Sequence, residues 1–342
     1  MTGRELVKKT LEFNNSGGPV PRDLWTLPWA YNNFGAELES ILADYPPDIV
    51  QFPDSNKHYA AQPVIRGSPY EEGEFTDEWG VVFKNIQRGL IGEVKAPIID
   101  PLDENWDDIS QVHFPEELLT IDTAKINEYC AASKQFVLSS DLVRPFERMQ
   151  FLRSSEMFYC DLASRNPGML SMLKKVHDFY CALMEVWCGN TDINGFLAMD
   201  DWGTQNTLLI NPLDWVKFFK PLYRDYIQIA HKHGKKFFFH SDGYTLDIIP
   251  HLIELGVDAA NLQIFCIGIE NIARFKGKIT FWGEVDRQHL LPKGTAEEID
   301  AAVRKVHSAI WADGGAIAQC EFGAGANPSN VRQVFKSWAD LA

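Results

Sequence analysis

The chain has 342 residues, 45% hydrophobic and 23% charged, which excludes intrinsic disorder, collagen-like repeats and a disulfide-stapled mini-domain. Thirty-two basic residues against 47 acidic ones give a net charge of −15 with no basic run, so neither nucleic acid nor an anionic membrane surface is an expected partner. No apolar run approaches the ~20 residues of a membrane span.

MTGRELVKKTLEF at the N-terminus reads as an amphipathic helix and not as a signal peptide. The six cysteines (Cys130, Cys160, Cys181, Cys188, Cys266, Cys320) are scattered with no C-x-x-C pair, which predicts reduced thiols and a cytoplasmic location. DLWTLPW (23–29) and DIVQF (48–52) read as strands. The segment 53–125, rich in Asp, Glu, Pro and Gly, breaks the pattern and is expected to be an excursion over one mouth of the fold. FVLSSD (136–141) is the next strand, followed by a helical run over 155–190, long for one crossover helix. GFLAMDD (195–201) precedes an aromatic helix around 215–230, and KKFFFH (235–240) leads into a helix over 244–255 that stops at Gly256.

VDAANLQ (257–263) and KITFWGE (278–284) flank a short helix near 269–276. Thr295 and Glu298 have the spacing of a capping box, opening a helix striped by Ile299, Val303, Val306 and Ile310. AIAQCE (316–321) is the eighth strand, and a last helix begins near Pro328, its inner face carrying Val331, Val334, Phe335 and Trp338. Eight strands alternating with helices imply a closed parallel (β/α)₈ TIM barrel. The alternative, an open doubly wound sheet, lacks a G-x-G-x-x-G after any strand. The whole chain, 1–342, is expected to form one domain.

Barrel chemistry sits at the C-terminal ends of the strands. Four predicted strands end in groups able to bind metal or move protons: Asp200 and Asp201, His240 and Asp242, Glu284 and Asp286, Cys320 and Glu321. Each alone has a bland reading: a rim histidine, a loop cap, the partner of a nearby cation, a buried thiol. Their convergence on one rim gives the ligand types of a catalytic zinc site.

At these residues the sequence resembles the uroporphyrinogen decarboxylase superfamily, which includes cobalamin-dependent methyltransferases. The motifs are MDDWGTQNTLLINPLDWVKFFKPLY (199–223), HKHGKKFFFHSDGYTLDIIPHLIELGVDAANLQ (231–263), FWGEVDRQHLLPKGTAEEI (281–299) and GANPSNV (325–331). DEWGVVF (77–83) and PFERMQFLR (145–153) resemble the methyltransferase-type branch. The decarboxylase's N-terminal Arg-Gln-Ala-Gly motif is absent, and Trp25-Thr26-Leu27-Pro28-Trp29 stands after the first strand, which suits an apolar or aromatic substrate better than a polycarboxylate.

The resemblance implies a Zn²⁺ held by His240 and Cys320, with Asp242 standing where thiol-methylating relatives carry a middle Cys, and Glu284 as a further ligand. A carboxylate in place of a thiolate leaves the metal harder and suits an oxygen substrate. Asp200, Asp201 and Asp242 are the expected catalytic carboxylates, and Trp25, Trp29, Trp202 and Trp282 the expected aromatic wall for substrate. The expected function is transfer of a methyl group from a small methoxylated donor to a corrinoid (cobalamin) on a separate partner protein, since no D-x-H-x-x-G corrinoid-binding pattern occurs here. A homodimer is compatible with this reading. The alternatives are a decarboxylase, a methylcobalamin:thiol methyltransferase and a catalytically silent subunit of a methyl-transfer complex.

Overall fold

In the computed structural model, which describes residues 1–53, 65–106 and 109–341, each of the eight predicted runs is a parallel strand. Their apolar character on both faces follows from burial on both sides, inward against the barrel axis and outward against helices. In chain order the strands are β1 (Arg22–Thr26), β2 (Ile49–Gln51), β3 (Gly73–Thr76), β4 (Val82–Asn85), β5 (Glu93–Ala96), β6 (Phe136–Val143), β7 (Gly195–Met199), β8 (Lys236–Ser241), β9 (Ala259–Leu262), β10 (Thr280–Gly283) and β11 (Ala316–Phe322). The eight-stranded sheet runs β1-β11-β10-β9-β8-β7-β6-β2, so the chain forms a nearly closed (β/α)₈ barrel.

The seam between β1 and β2 is closed not by a ladder but at Arg22 and Asp48, through one backbone bond and the Asp48 side chain. The Asp48 backbone N–H donates to the Arg22 carbonyl at 2.7 Å, and the Arg22 N–H donates back to Asp48 Oδ2 at 2.9 Å. Arg22 Nε lies 3.7 Å from the same carboxylate.

The N-terminal helix Gly3–Leu11 plugs the opposite end of the barrel. Its buried Val7 and Leu11 join Ile49, Phe136, Leu138, Leu197, Phe238, Ala259, Trp282 and Ile317 in the interior core. Its cap is a Thr2–Glu5 box, and Arg4 reaches across to the carbonyls of Ser133 and Gln135. A second, larger core lies between the sheet and the outer helices. The Thr295–Glu298 capping box forms, and the 155–190 run divides into helices Ser155–Ser164 and Pro167–Asn190.

Residues 54–64 and 107–108 of the expected excursion lie outside the described residues. The rest contains the antiparallel sheet β3-β4-β5. Two attachments place it over the C-terminal mouth. The Trp29 N–H, just after β1, donates to the Gly89 carbonyl at 3.2 Å. On the other side Arg148, in the helix that follows β6, pairs with Asp77 at 2.6 Å and lies 4.8 Å over the Trp79 ring.

Asp48→Ala removes the carboxylate that joins the first and second barrel strands. It should lower unfolding stability by about 1.5–3 kcal/mol, the range for hydrogen bonds to a charged group. An unchanged denaturation midpoint would show that the seam is held by other contacts.

Candidate functional site

Strand register sets which residues meet inside the C-terminal mouth. Met199, His240, Asn261 and Trp282 are direct neighbours across β7, β8, β9 and β10. All share the inward face, since Phe238, Ala259 and Trp282 belong to the interior core. Beyond β7 and β8 the two chains stay in contact. Gly203 N–H donates to the Asp242 carbonyl at 3.1 Å, and Tyr244 N–H to the Thr204 carbonyl at 2.8 Å. A Cβ on Gly203 would sit 2.4 Å from the Tyr244 nitrogen, and one on Gly243 (φ +79°) would sit 2.3 Å from the Gly203 oxygen. The two glycines therefore permit the close approach that sets Asp201 beside Asp242. The Asp242 N–H donates to Asp201 Oδ1 at 2.8 Å.

Between these carboxylates stands His240, buried in the mouth. Its Nδ1 lies 2.7 Å from the Asn261 amide oxygen, so Nδ1 carries a hydrogen and donates it. Nε2 then faces Asp201 Oδ1 at 3.5 Å and Asp242 Oδ1 at 3.8 Å. Trp25 packs on the imidazole with ring centres 5.0 Å apart, and its indole N–H donates to Asp23 at 2.9 Å. Burial disfavours the imidazolium, but the two aspartates outweigh it and raise the His240 pKa to about 9. Burial likewise disfavours the Asp201 carboxylate, and its bond to His240 brings the net shift downward.

On the far side of Asp242 a single guanidinium gathers three acids. Arg287 pairs with Asp242, lies 2.8 Å from Glu321 Oε2 and 3.6 Å from Glu284 Oε1. Burial, only partly opposed by Arg287, pushes Glu284 up to about 8, so it holds a proton at neutral pH. Asn261 Nδ2, Trp282 Nε1 and Gln319 Oε1 are buried here with no protein partner among the described residues. Such orphaned groups cost about 1–3 kcal/mol each when left dry, as expected where a polar ligand or water enters.

The residues present fit a divalent cation. Asp201, His240 and Asp242 each offer a ligand atom within 4.8 Å of the others, and the Asn261 bond orients the imidazole as carboxamide partners of metal-bound histidines do. This donor set is one nitrogen and two oxygens. The thiolate part of the implied zinc site does not fit: Cys320 faces the outer core with Ala318 and Phe322, while Gln319 and Glu321 on either side of it face the mouth. Burial pushes the Cys320 thiol far up, away from the thiolate a metal needs. Glu284 serves Arg287 and stands outside the trio.

Asp200 is turned away from its neighbour Asp201. Fully buried, it accepts the N–H groups of Phe146 at 3.1 Å and Glu147 at 2.9 Å, and the Tyr223 hydroxyl at 2.6 Å. It thus caps the helix Pro145–Arg153 instead of facing the mouth. Trp202 is also in the core, stacked 3.9 Å from Phe146, with its indole N–H donated to Tyr223 at 3.2 Å. Trp282 is fully buried beneath Trp25 at 5.3 Å, and Trp29 sits at the rim against the Gly89 loop. Of the four expected wall residues, Trp25 alone touches the His240 ring.

A cavity of about 820 Å³ opens beside the trio, between the three-stranded sheet and the helix after β6, with Asp201, Met199, Arg144 and Glu147 on its wall. Arg144, Glu147 and Arg287 were not singled out from the sequence. The i,i+3 spacing of Glu284 and Arg287 was the available signal for the last.

Neither a family model nor a curated protein matches the sequence. Among solved structures, a methyltransferase from Methanosarcina mazei overlays with a TM-score of 0.65 at 14% identity, covering 100% of this chain and 99% of that one. A glycosylated endo-β-1,4-xylanase from Gloeophyllum trabeum gives 0.45 at 10% identity, covering 96% and 98%. A B12-independent methionine synthase from Shewanella sp. W3-18-1 gives 0.39 at 13%, covering 65% and 66%. The first of these overlays establishes a shared fold along the whole chain. Among the described residues no helix is long and apolar enough to cross a membrane.

In metal-stripped protein the His240 proton should persist well above the ordinary 6.5 and come off near pH 9. The folded state then binds this proton more tightly than the unfolded chain. The resulting stabilisation is complete below about pH 6.5 and disappears as the pH rises through about 9. NMR titration of the ring should show this midpoint, moved down towards the ordinary value in Asp201→Asn. A midpoint at or below 6.5 in the unaltered protein would contradict the ion-pair assignment.

Proposed function

We propose that this chain transfers a methyl group from the oxygen of a methoxylated small molecule, foremost an aromatic ether, to the cobalt of a corrinoid carried by a separate protein. The observation that carries the reading is the Asp201–His240–Asp242 trio, set at the C-terminal mouth with Asp201 also on the wall of a roughly 820 Å³ cavity. The resemblance of its motifs to the methyltransferase-type branch and the whole-chain overlay on a methyltransferase support it.

Breaking an unactivated ether expels a poor leaving group, so the oxygen must meet an electrophile as the bond breaks. A divalent ion such as zinc, held by Asp201, His240 and Asp242, would supply that Lewis acidity. The chain's own groups do the rest. Asn261 fixes the imidazole plane, and Arg287 holds Asp242 and Glu321 in place. Burial raises the Glu284 pKa to about 8 on the Arg287 side of Asp242. Trp25 gives the mouth an aromatic side next to His240. The carbon–oxygen bond breaks with its electron pair left on oxygen, which takes up a proton. The methyl carbon bonds to the electron pair of cobalt(I), the acceptor substrate.

The donor set separates this reading from thiol methylation, because Cys320 does not reach the trio. Decarboxylation of a polycarboxylate has little to rest on, since Arg148 and Arg287 already face Asp77 and Glu78, and Asp242 and Glu321.

Incubating the protein with cob(I)alamin and a panel of aryl methyl ethers should form methylcobalamin, followed by its absorbance. His240→Ala should abolish the reaction and Cys320→Ala should retain it. Transfer from no ether, or loss in Cys320→Ala with retention in His240→Ala, would overturn the assignment. Thiol methylation from methylcobalamin alone, or release of CO₂ from a carboxylated substrate, would move the chain to the other branches.

A further inference from the structure

We propose that Arg287 sets which divalent ion the mouth accepts. It gathers Asp242, Glu284 and Glu321 on one guanidinium and so withholds their oxygens from the ion. What remains is a small mixed nitrogen and oxygen site that favours zinc over an oxygen-seeking ion such as manganese. This rests on the metal-binding part of the reading above and not on the transfer of a methyl group.

The guanidinium spends each of its three nitrogens on a different acid. Nη2 pairs with Asp242 Oδ2, Nη1 lies 2.8 Å from Glu321 Oε2, and Nε lies 3.6 Å from Glu284 Oε1. Asp242 is thereby divided. Its Oδ2 goes to Arg287 and its Oδ1 faces His240 Nε2 at 3.8 Å. Asp201 Oδ1, 3.5 Å from the same nitrogen, also accepts the Asp242 backbone N–H at 2.8 Å. Glu284 lies within electrostatic reach of Asp242, Glu321 and His240. The loop that presents Arg287 is itself fixed. Asp286 Oδ1 accepts the N–H groups of Gln288 at 2.8 Å and His289 at 2.9 Å, and the Leu291 N–H donates to the Asp286 carbonyl at 2.9 Å.

Take the guanidinium away and one imidazole is left among four carboxylic side chains, Asp201, Asp242, Glu284 and Glu321. Such a surrounding suits manganese, magnesium or calcium, which take about six or more oxygen ligands. Zinc is content with about four ligands and gains most from a nitrogen donor. The trio offers that smaller set as long as Asp242 gives the ion a single oxygen and the two glutamates stay occupied. The job needs arginine, because a planar fork can hold three acids in fixed directions and a lysine ammonium is a point charge on a flexible stem. Arg287 acts through the carboxylates it holds, and is in this sense a positioning residue.

The test is calorimetric titration of metal-stripped protein with zinc alone and with manganese alone, manganese being read in addition by its paramagnetic resonance. The unaltered protein should bind zinc more tightly than manganese. In Arg287→Met the ratio of the two affinities should fall roughly ten- to a hundredfold, the range seen when partners of metal ligands are altered. The ratio is the informative quantity, since loss of one positive charge strengthens the binding of every divalent ion alike. Arg287→Lys keeps the charge and loses the fork, so its ratio should fall as well. Adding Glu321→Gln to Arg287→Met should restore part of the preference by removing one of the released oxygens. Equal affinities for both ions in the unaltered protein, binding of neither, or a ratio unchanged in both Arg287 variants would overturn the proposal. The first comparison needs no variant, so a misfolded substitution does not shield the idea. A ratio that moves as expected, with no methylcobalamin formed from any ether, would sink the methyl-transfer reading and leave this role of Arg287 standing. Methyl transfer with an unmoved ratio would do the reverse.

Discussion

The imidazole of His240, buried and caught between two carboxylates, is the constraint around which the mouth of this barrel is arranged. Its Nδ1 is fixed by Asn261 on the neighbouring strand, so Nε2 can point only at Asp201 and Asp242. Two acids this close would repel each other in a low-dielectric site unless a cation lay between them. A proton on His240 provides that cation in the metal-free protein, and a divalent ion at Nε2 would provide it instead. Everything nearby follows from holding that charge balance. Arg287 neutralises the outer side of Asp242 and ties in Glu284 and Glu321. Gly203 and Gly243 allow the backbone contact that brings the two aspartates together.

A second layer of charge holds the cover over the mouth. Arg148 binds Asp77 and Glu78, and the helix that carries it is capped by Asp200, which lies one residue before Asp201 in the chain. The end of β7 thus sends one carboxylate inward to the mouth and the preceding one outward to the helix that fastens the sheet. Alternation along the strand makes this division of labour possible. It also joins the polar trio to the cavity under β3, β4 and β5 through Asp201.

The architecture was legible in the sequence because each barrel strand is a short apolar run with a polar end, and the runs recur between helical stretches. Facing was less legible. In AIAQCEF both faces of the strand are buried, so no hydrophobic alternation shows that Gln319 and Glu321 point inward while Cys320 points to the helices. The same ambiguity hid the difference between Asp200 and Asp201, adjacent residues of one type with opposite surroundings. Trp202 and Trp282 illustrate a related limit: their size fits a substrate wall and a core equally well, and packing against Phe146 and Phe238 decides for the core. Arg144 and Glu147 lie in PFERMQFLR and its preceding residue, but only the fold shows that they pair with each other at 4.0 Å on the cavity wall.

The most direct test of the trio's role is anomalous diffraction at the zinc edge from crystals equilibrated with zinc. The account predicts a single strong peak bonded to His240 Nε2, Asp201 and Asp242, with Cys320 uninvolved. A peak at Cys320, or saturating zinc in solution with no density beside His240, would contradict it.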